Sequence, residues 1–172
     1  MSKILFVLLI SSLLFSSCFS VDRRGGIVGI KGRTFQSGLG SFEVGRLPEG
    51  WSNPQNKLKQ VVYTHDGMQA TIVTDALCGK KFEEAPLRRL ALDLLEPMEK
   101  SKIKSEKEFV LDGRKAYQMV GEGAIDGICM EMGVRVLKKD FCVYDFVLFA
   151  PKKYFSQSQK DFENYVSGFR TR

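Results

Sequence analysis

Histidine is almost absent from this 172-residue sequence, because His65 is the only one. It stands in the segment "THDG", whose composition is typical of a surface turn. A hydrolase or transferase needs a nucleophile, a base and a group that orients the base. The sequence has neither a GxSxG nor an HExxH motif, and its cysteines lack the spacing of zinc ligands. We therefore expect a protein that is not an enzyme, with no catalytic residue, metal site or cofactor.

Long apolar runs are also missing, apart from one near the start of the chain. This run, Ile4 to Phe15, is shorter than the roughly 20 apolar residues that a membrane-spanning helix needs. Lys3 precedes it, and the small residues Ser16 and Ser17 follow it. A short basic segment, a short apolar run and small residues are the layout of a bacterial export signal.

Cys18 directly follows those serines, and the segment "FSSC" resembles the lipidation motif of bacterial lipoproteins. We therefore predict that residues 1–18 are a lipoprotein signal peptide whose cysteine carries the lipid. Several acyl chains on Cys18 would anchor the protein stably in a membrane. The residue after it, Phe19, is not acidic, which favours the outer membrane, on its periplasmic side. The alternative is cleavage near Ser20, which would release a soluble periplasmic or secreted protein.

No stretch of the chain concentrates charge of one sign. The formal net charge is +6, and basic pairs such as those at 23–24 and 138–139 alternate with acidic residues. Scattered pairs are typical of a solvated surface, so we expect no nucleic-acid binding. A mildly basic protein tethered to a membrane has the anionic lipid surface as its natural partner.

Residues 19–40 contain six glycines and little apolar periodicity, so we predict a flexible tether there. Residues 41–172 then have the length and composition of one globular domain.

Asp-Gly pairs at 66–67, 112–113 and 126–127 each stand beside strand-like segments, which indicates β-hairpins. The segment "CVYDFVLFA" is nearly apolar throughout, so we expect a central strand covered on both faces. In "ICMEMGVRV", the apolar residues alternate with Glu131 and Arg135, which predicts a half-buried strand.

Two segments have the periodicity of amphipathic helices. "EEAPLRRLALDLLEPMEK" places leucines and Met98 along one stripe, and Pro86 suits its first turn. "FSQSQKDFENYVSGFR" places phenylalanines on one face, and Ser156 with Gln159 resembles a capping box. The order of elements predicts an α+β fold in which helices flank an antiparallel sheet.

Besides Cys18, the sequence has three cysteines, Cys78, Cys129 and Cys142. An exported protein meets an oxidising compartment, so one disulfide and one free thiol are expected. Cys129 and Cys142 lie too unevenly about the "KKD" turn to face one another. Cys78 ends a predicted strand and can meet Cys142 near the start of another. We predict a Cys78–Cys142 disulfide; the alternative is three reduced thiols.

Three motifs together, "FEVGRLPEGW", "LDGRKA" and "CVYDFVLFAP" followed by a helix ending "SGFR", resemble the PsbP-like α/β/α sandwich family. More closely, they resemble small bacterial lipoproteins of that shape. The resemblance covers residues 41–172 and carries over no catalytic residue. It implies a non-catalytic binding or assembly module in the cell envelope with a protein partner. The alternative is a periplasmic carrier of a small apolar ligand.

Overall fold

The structure is a computed structural model, and it describes residues 26–79 and 84–172. The described residues form two helices and eleven strands. The helices are α1 (Leu87–Leu94) and α2 (Lys152–Ser167). The strands are β1 (Ile27–Lys31), β2 (Thr34–Ser37), β3 (Gly40–Glu43), β4 (Gln55–Lys57), β5 (Gln60–His65), β6 (Ala70–Cys78), β7 (Glu99–Leu111), β8 (Arg114–Ile125), β9 (Ile128–Lys139), β10 (Cys142–Pro151) and β11 (Arg170–Thr171).

A seven-stranded antiparallel sheet forms the centre of the domain, in the order β4-β5-β6-β10-β9-β8-β7. Helix α1 packs on one face, against β8 and β9, and α2 packs on the other face, against β6, β10 and β9. Alternate residues of β10 belong to two separate apolar cores, one under each helix. This arrangement confirms the predicted α+β fold with an antiparallel sheet between helices.

The prediction of a flexible tether over residues 19–40 is wrong from Gly26 onward. Strands β1 and β2 lie within it, and they join β3 and β11 in a second, four-stranded sheet. Ile27, Phe35 and Phe42 of this sheet are fully buried, and the two phenylalanine rings lie 5.4 Å apart. The glycines between these apolar residues hid the strand pattern. The domain therefore includes residues from Gly26 onward, and residues 19–25 lie outside the described part.

The predicted hairpins are present. Asp112-Gly113 joins β7 to β8 with φ of 47° and 73°, and Asp126-Gly127 joins β8 to β9 with φ of 49° and 76°. Positive φ at both central residues is the geometry that suits the right-handed twist of paired strands. The third hairpin differs, because Asp66-Gly67 lies in a 3-10 turn over Asp66–Met68.

The central position of β10 is confirmed, since it is the middle strand of the large sheet and is buried along almost its whole length. The prediction that β9 is a half-buried strand is wrong, because Glu131 and Arg135 are each only 4% exposed. The residue pattern could not show that α2 also covers part of the polar face of β9. The capping box is also wrong, since α2 begins at Lys152 after Pro151, before Ser156 is reached.

The predicted disulfide is confirmed. Cys78 at the end of β6 and Cys142 at the start of β10 are direct partners in the strand pairing, and their sulfur atoms lie 2.09 Å apart. Cys129 is a free and exposed thiol near the opposite end of the sheet.

Candidate binding groove beside the second helix

Cys18, the predicted lipid attachment site, lies outside the described residues. Within residues 26–79 and 84–172, no helix combines the length and the hydropathy that a membrane span requires. In the same part of the chain, histidine, cysteine, aspartate and glutamate form no group of three that could hold a metal ion.

His65, the only histidine, takes part in local packing at the end of β5. Its Nδ1 accepts a hydrogen bond from the Met68 N–H at 3.2 Å, which closes the 3-10 turn. Its ring meets the Trp51 ring edge-on, with centroids 5.4 Å apart. The Trp51 indole N–H in turn donates to Asp161 of α2 at 3.0 Å. His65 and Trp51 thus connect the loop before β4 to α2, and no nucleophile joins them in these contacts.

A groove opens where α2 leaves part of the sheet uncovered. The helix contacts β6, β10 and β9, whereas the same face of β7 and β8 extends beyond it. The groove has a volume of about 430 Å³. Both charged and apolar side chains line it: Lys107, Phe109, Val110, Leu111, Asp112, Gln118, Arg135, Glu163, Val166, Ser167 and Arg170.

Arg135 of β9 is the most deeply buried charge in this groove, because its side chain is only 5% exposed. One guanidinium N–H donates to the Val134 carbonyl at 3.0 Å, and Nη2 lies 3.8 Å from a Glu163 carboxylate oxygen. The guanidinium also lies over the Phe162 ring, 5.6 Å from its centre. Burial lowers the pKa of Arg135, and the charge of Glu163 acts against this shift.

A guanidinium has five N–H donors, and a buried cation needs hydrogen bonds as well as an opposite charge to offset its lost hydration. Among the described residues, Arg135 makes one hydrogen bond and one long ion pair with a Glu163 side chain that is 54% exposed. Its charge is therefore incompletely compensated by the fold. A carboxylate entering the groove could accept two parallel N–H bonds from it.

The end of the groove nearest the β7–β8 turn is held in place by Asp112. Lys139 donates to its carboxylate at 2.6 Å, and the Thr171 N–H donates at 2.9 Å. Burial raises the pKa of Asp112, but these hydrogen bonds outweigh it and hold the pKa below the usual range. Asp112 therefore stays ionised and connects the β7–β8 turn to the C-terminal strand.

A second unusual feature lies on the other face of the sheet. Asp145 of β10 faces Asp75 of β6 directly across the strand pair, and its Oδ1 is buried without a hydrogen-bond partner among the described residues. Burial, together with the charge of Asp75, raises the pKa of Asp145 to about 7. Burial also raises the pKa of Asp75, which accepts a hydrogen bond from Gln60 at 3.1 Å. This pair is suited to holding a proton near neutral pH.

The sequence pattern does not predict Arg135, Asp75 or Asp145 as unusual sites. For Asp145 a signal was available, namely a carboxylate in the middle of a nearly apolar strand. For Arg135 and Asp75 none was, because both residues stand at positions that simple alternation assigns to solvent.

Comparison with solved structures places this arrangement of two antiparallel sheets and two helices in the PsbP-like class. The chain resembles PsbP (CyanoP) of the cyanobacterium Synechocystis with a TM-score of 0.57 and 10% identity, over 91% of this chain and 98% of that one. It resembles Mycobacterium tuberculosis LpqN, described as involved in cell envelope biogenesis, with a TM-score of 0.53 and 15% identity, over 77% and 84% of the two chains. It resembles the Ran-binding protein Mog1p of Saccharomyces cerevisiae with a TM-score of 0.52 and 16% identity, over 85% and 94%.

The chain thus has a PsbP-like fold, as the sequence resemblance implied. No family model matches the sequence, and no curated protein sequence matches it. Identities this low carry the fold and not the activity.

Proposed function

We propose that this protein is an exported, non-catalytic binding module of the bacterial cell envelope, anchored through a lipid on Cys18. The export signal and the cysteine after it support the location. The likeness to LpqN, a protein of cell envelope biogenesis, agrees with that location. The likeness to Mog1p, a Ran-binding protein, agrees with a binding role for the fold.

The observation that carries the binding role is the groove beside α2 with Arg135 at its base. A buried guanidinium with unused donors recognises a carboxylate. The partly exposed Phe109 adds apolar contact area beside it, and Gln118 adds polar groups. Such a mixed lining fits a polypeptide partner that presents an acidic side chain better than it fits a small apolar ligand, the alternative that the sequence left open.

Replacing Arg135 by methionine is expected to weaken partner binding strongly while leaving the fold intact. An apolar side chain of similar length removes a poorly compensated buried charge, so the free energy of unfolding should stay the same or rise by about 1–2 kcal/mol. Loss of a charge-assisted contact in the groove should weaken the complex at least about tenfold. Thermal unfolding measures the first effect. Photo-cross-linking in cells, from a cross-linking residue placed at Gln118, measures the second.

The matched control for this experiment is a cross-linking residue at Lys160, on the exposed side of α2. We expect a defined product from Gln118 that Arg135→Met removes, and no product from Lys160. Equal products from the two positions, or a product from Gln118 that is insensitive to Arg135→Met, would place the partner elsewhere. A large loss of stability in Arg135→Met would show that Arg135 serves the fold instead.

Replacing Cys18 by alanine is expected to move the protein from the membrane fraction to the soluble fraction. The reason is that the thiol is the only group to which this signal can attach acyl chains, and each buried methylene contributes about 0.8 kcal/mol to anchoring. Mass analysis of the wild-type N-terminus should show a lipid-modified Cys18. An unmodified terminus at Val21 would contradict the anchor and favour a soluble protein.

A further inference from the structure

Seven large apolar side chains are exposed among the described residues, and four of them lie at one end of the large sheet. Of the other three, Ile103 and Val110 lie in β7, and Ile128 lies at the start of β9, at the opposite end. Leu58 is 84% exposed, Val28 63%, Leu39 62% and Phe141 61%. We call the surface formed by these four residues the turn surface. Three of them lie in the turns β2–β3, β4–β5 and β9–β10, and Val28 lies in β1.

Two backbone hydrogen bonds and one side-chain contact show that these segments meet at the same end. The Ile27 N–H donates to the Lys59 carbonyl at 2.6 Å, which places the start of β1 against the β4–β5 turn. The Gly79 N–H donates to the Phe141 carbonyl at 2.9 Å, which places the β9–β10 turn at the end of β6. The Ser37 hydroxyl lies 3.7 Å from the Cys78 sulfur, which brings the β2–β3 turn to the same end.

Two of these apolar residues occupy positions that the fold itself disfavours for them. Leu58 has φ of 53° and Phe141 has φ of 60°, in the left-handed region that favours glycine or asparagine. Their side chains are mostly exposed, so they gain little from packing. Folding therefore does not account for a large apolar residue at either turn, whereas contact with an apolar partner does.

The described chain also begins at this end, where the Gly26 N–H donates to the Ala76 carbonyl at 2.8 Å. Gly26 stands eight residues after Cys18, a length that can span at most about 29 Å. Strand β9 has 12 residues and extends about 35–40 Å toward the opposite end of the sheet. A lipid on Cys18 thus keeps the turn surface near the bilayer, and the far end of the sheet, at Cys129, lies beyond the reach of that link.

The charge at this end of the sheet is also complementary to an anionic membrane surface. Lys57 and Lys59 flank Leu58, and Arg114 follows the β7–β8 turn, and all three side chains are exposed. Two acidic residues stand nearby, Asp140 and Asp112, and the second is paired with Lys139. The balance is positive, which attracts anionic headgroups within a Debye length.

We propose that the turn surface lies on the bilayer, with Leu58 and Phe141 at the level of the headgroups and upper acyl chains, and Lys57 and Arg114 against anionic phosphates. This orientation rests on the lipid anchor proposed above. It directs the strands of the large sheet away from the membrane and sets Cys129 at the end farthest from it.

The test uses the full-length lipidated protein in vesicles of phosphatidylethanolamine and phosphatidylglycerol at about 3:1. An environment-sensitive fluorophore is attached to Cys129 in the wild type, and to Leu58→Cys or Phe141→Cys in a Cys129→Ser background. We expect brominated lipids to quench the labels at 58 and 141 at least about twofold and to leave the Cys129 label unchanged. In the matched Leu58→Asn/Phe141→Gly variant, which relieves the backbone strain, a label at Val28→Cys should lose most of its quenching although the fold is retained.

The experiment distinguishes a wrong orientation of the domain from the absence of the lipid anchor. Protein that floats with vesicles while its labels at 58 and 141 remain unquenched keeps the anchor and overturns the orientation. Blue-shifted labels that bromolipids do not quench point to a protein surface on these turns and also overturn it. Protein that does not float with vesicles overturns the lipid anchor itself, and the orientation with it.

Discussion

Replacing both Cys78 and Cys142 by alanine is expected to lower the free energy of unfolding by about 4 kcal/mol. The bond closes a loop with a sequence separation of 64 residues, and a loop of this length restricts the unfolded chain by about that amount. For a domain of this size, the melting temperature should fall by roughly 8–16 °C. Thermal and denaturant unfolding of the purified protein measure the change, and a reducing agent should reproduce it in the wild type.

Cys129→Ser is the matched control, because this thiol is free and exposed. It should unfold like the wild type, within about 0.5 kcal/mol. Equal stability of the double alanine variant and the wild type would mean that the bond does not constrain the chain in solution. Non-reducing peptide mapping that placed Cys129 in the bridge would contradict the pairing.

Replacing Asp145 by asparagine is expected to stabilise the protein by about 2–4 kcal/mol at pH 8. The folded state raises the pKa of Asp145 from 3.8 to about 7 because the carboxyl is buried and faces Asp75. Each pKa unit corresponds to about 1.4 kcal/mol, so charging this group in the fold costs about 4 kcal/mol. An amide of the same shape carries no charge and can donate a hydrogen bond to Asp75.

The raised pKa of Asp145 determines whether the stability of the protein rises or falls with pH. Between the unfolded and the folded pKa, the folded state holds a proton that the unfolded state has lost. Asp145 therefore makes the wild type less stable as pH rises from about 4 to about 7, with no further loss above that range. The raised pKa of Asp75 acts in the same direction. Asp145→Asn should flatten this decline and differ little from the wild type near pH 4.

Urea unfolding at a series of pH values measures both effects. Gln60→Ala is an informative comparison, because it removes the hydrogen bond to Asp75 and leaves Asp145 in place. It should not flatten the pH dependence. If Asp145→Asn were no more stable than the wild type at pH 8, another group would have to compensate the Asp145 charge in solution.

Local sequence signals predicted a large part of the fold. The Asp-Gly turns at 112–113 and 126–127 were correct because the required positive φ values depend on the turn residues themselves. Strand β10 was correct because a continuous apolar run must be covered on both faces. The disulfide was correct because strand order and turn position restricted which cysteines could face one another.

The errors arose where burial depends on segments distant in the chain. The glycines of residues 27–37 mask the alternation of their apolar residues, but Ile27 and Phe35 are buried in the core cluster that also contains residues of the large sheet and α2. Arg135 alternates with the apolar residues Val134 and Val136, and this pattern alone predicts a solvent-facing side chain. Only the position of α2 over β9 buries it and opens a groove beside it.

The sequence by itself determined the hairpin turns, the two amphipathic helices and the central strand, because each depends on residues close together in the chain. The tertiary structure alone decided the groove around Arg135, the facing carboxyls of Asp75 and Asp145, and the gathering of Leu58 and Phe141 at one end. Each of these brings together residues from separate strands, and their environment exists only once strand order and helix position are set.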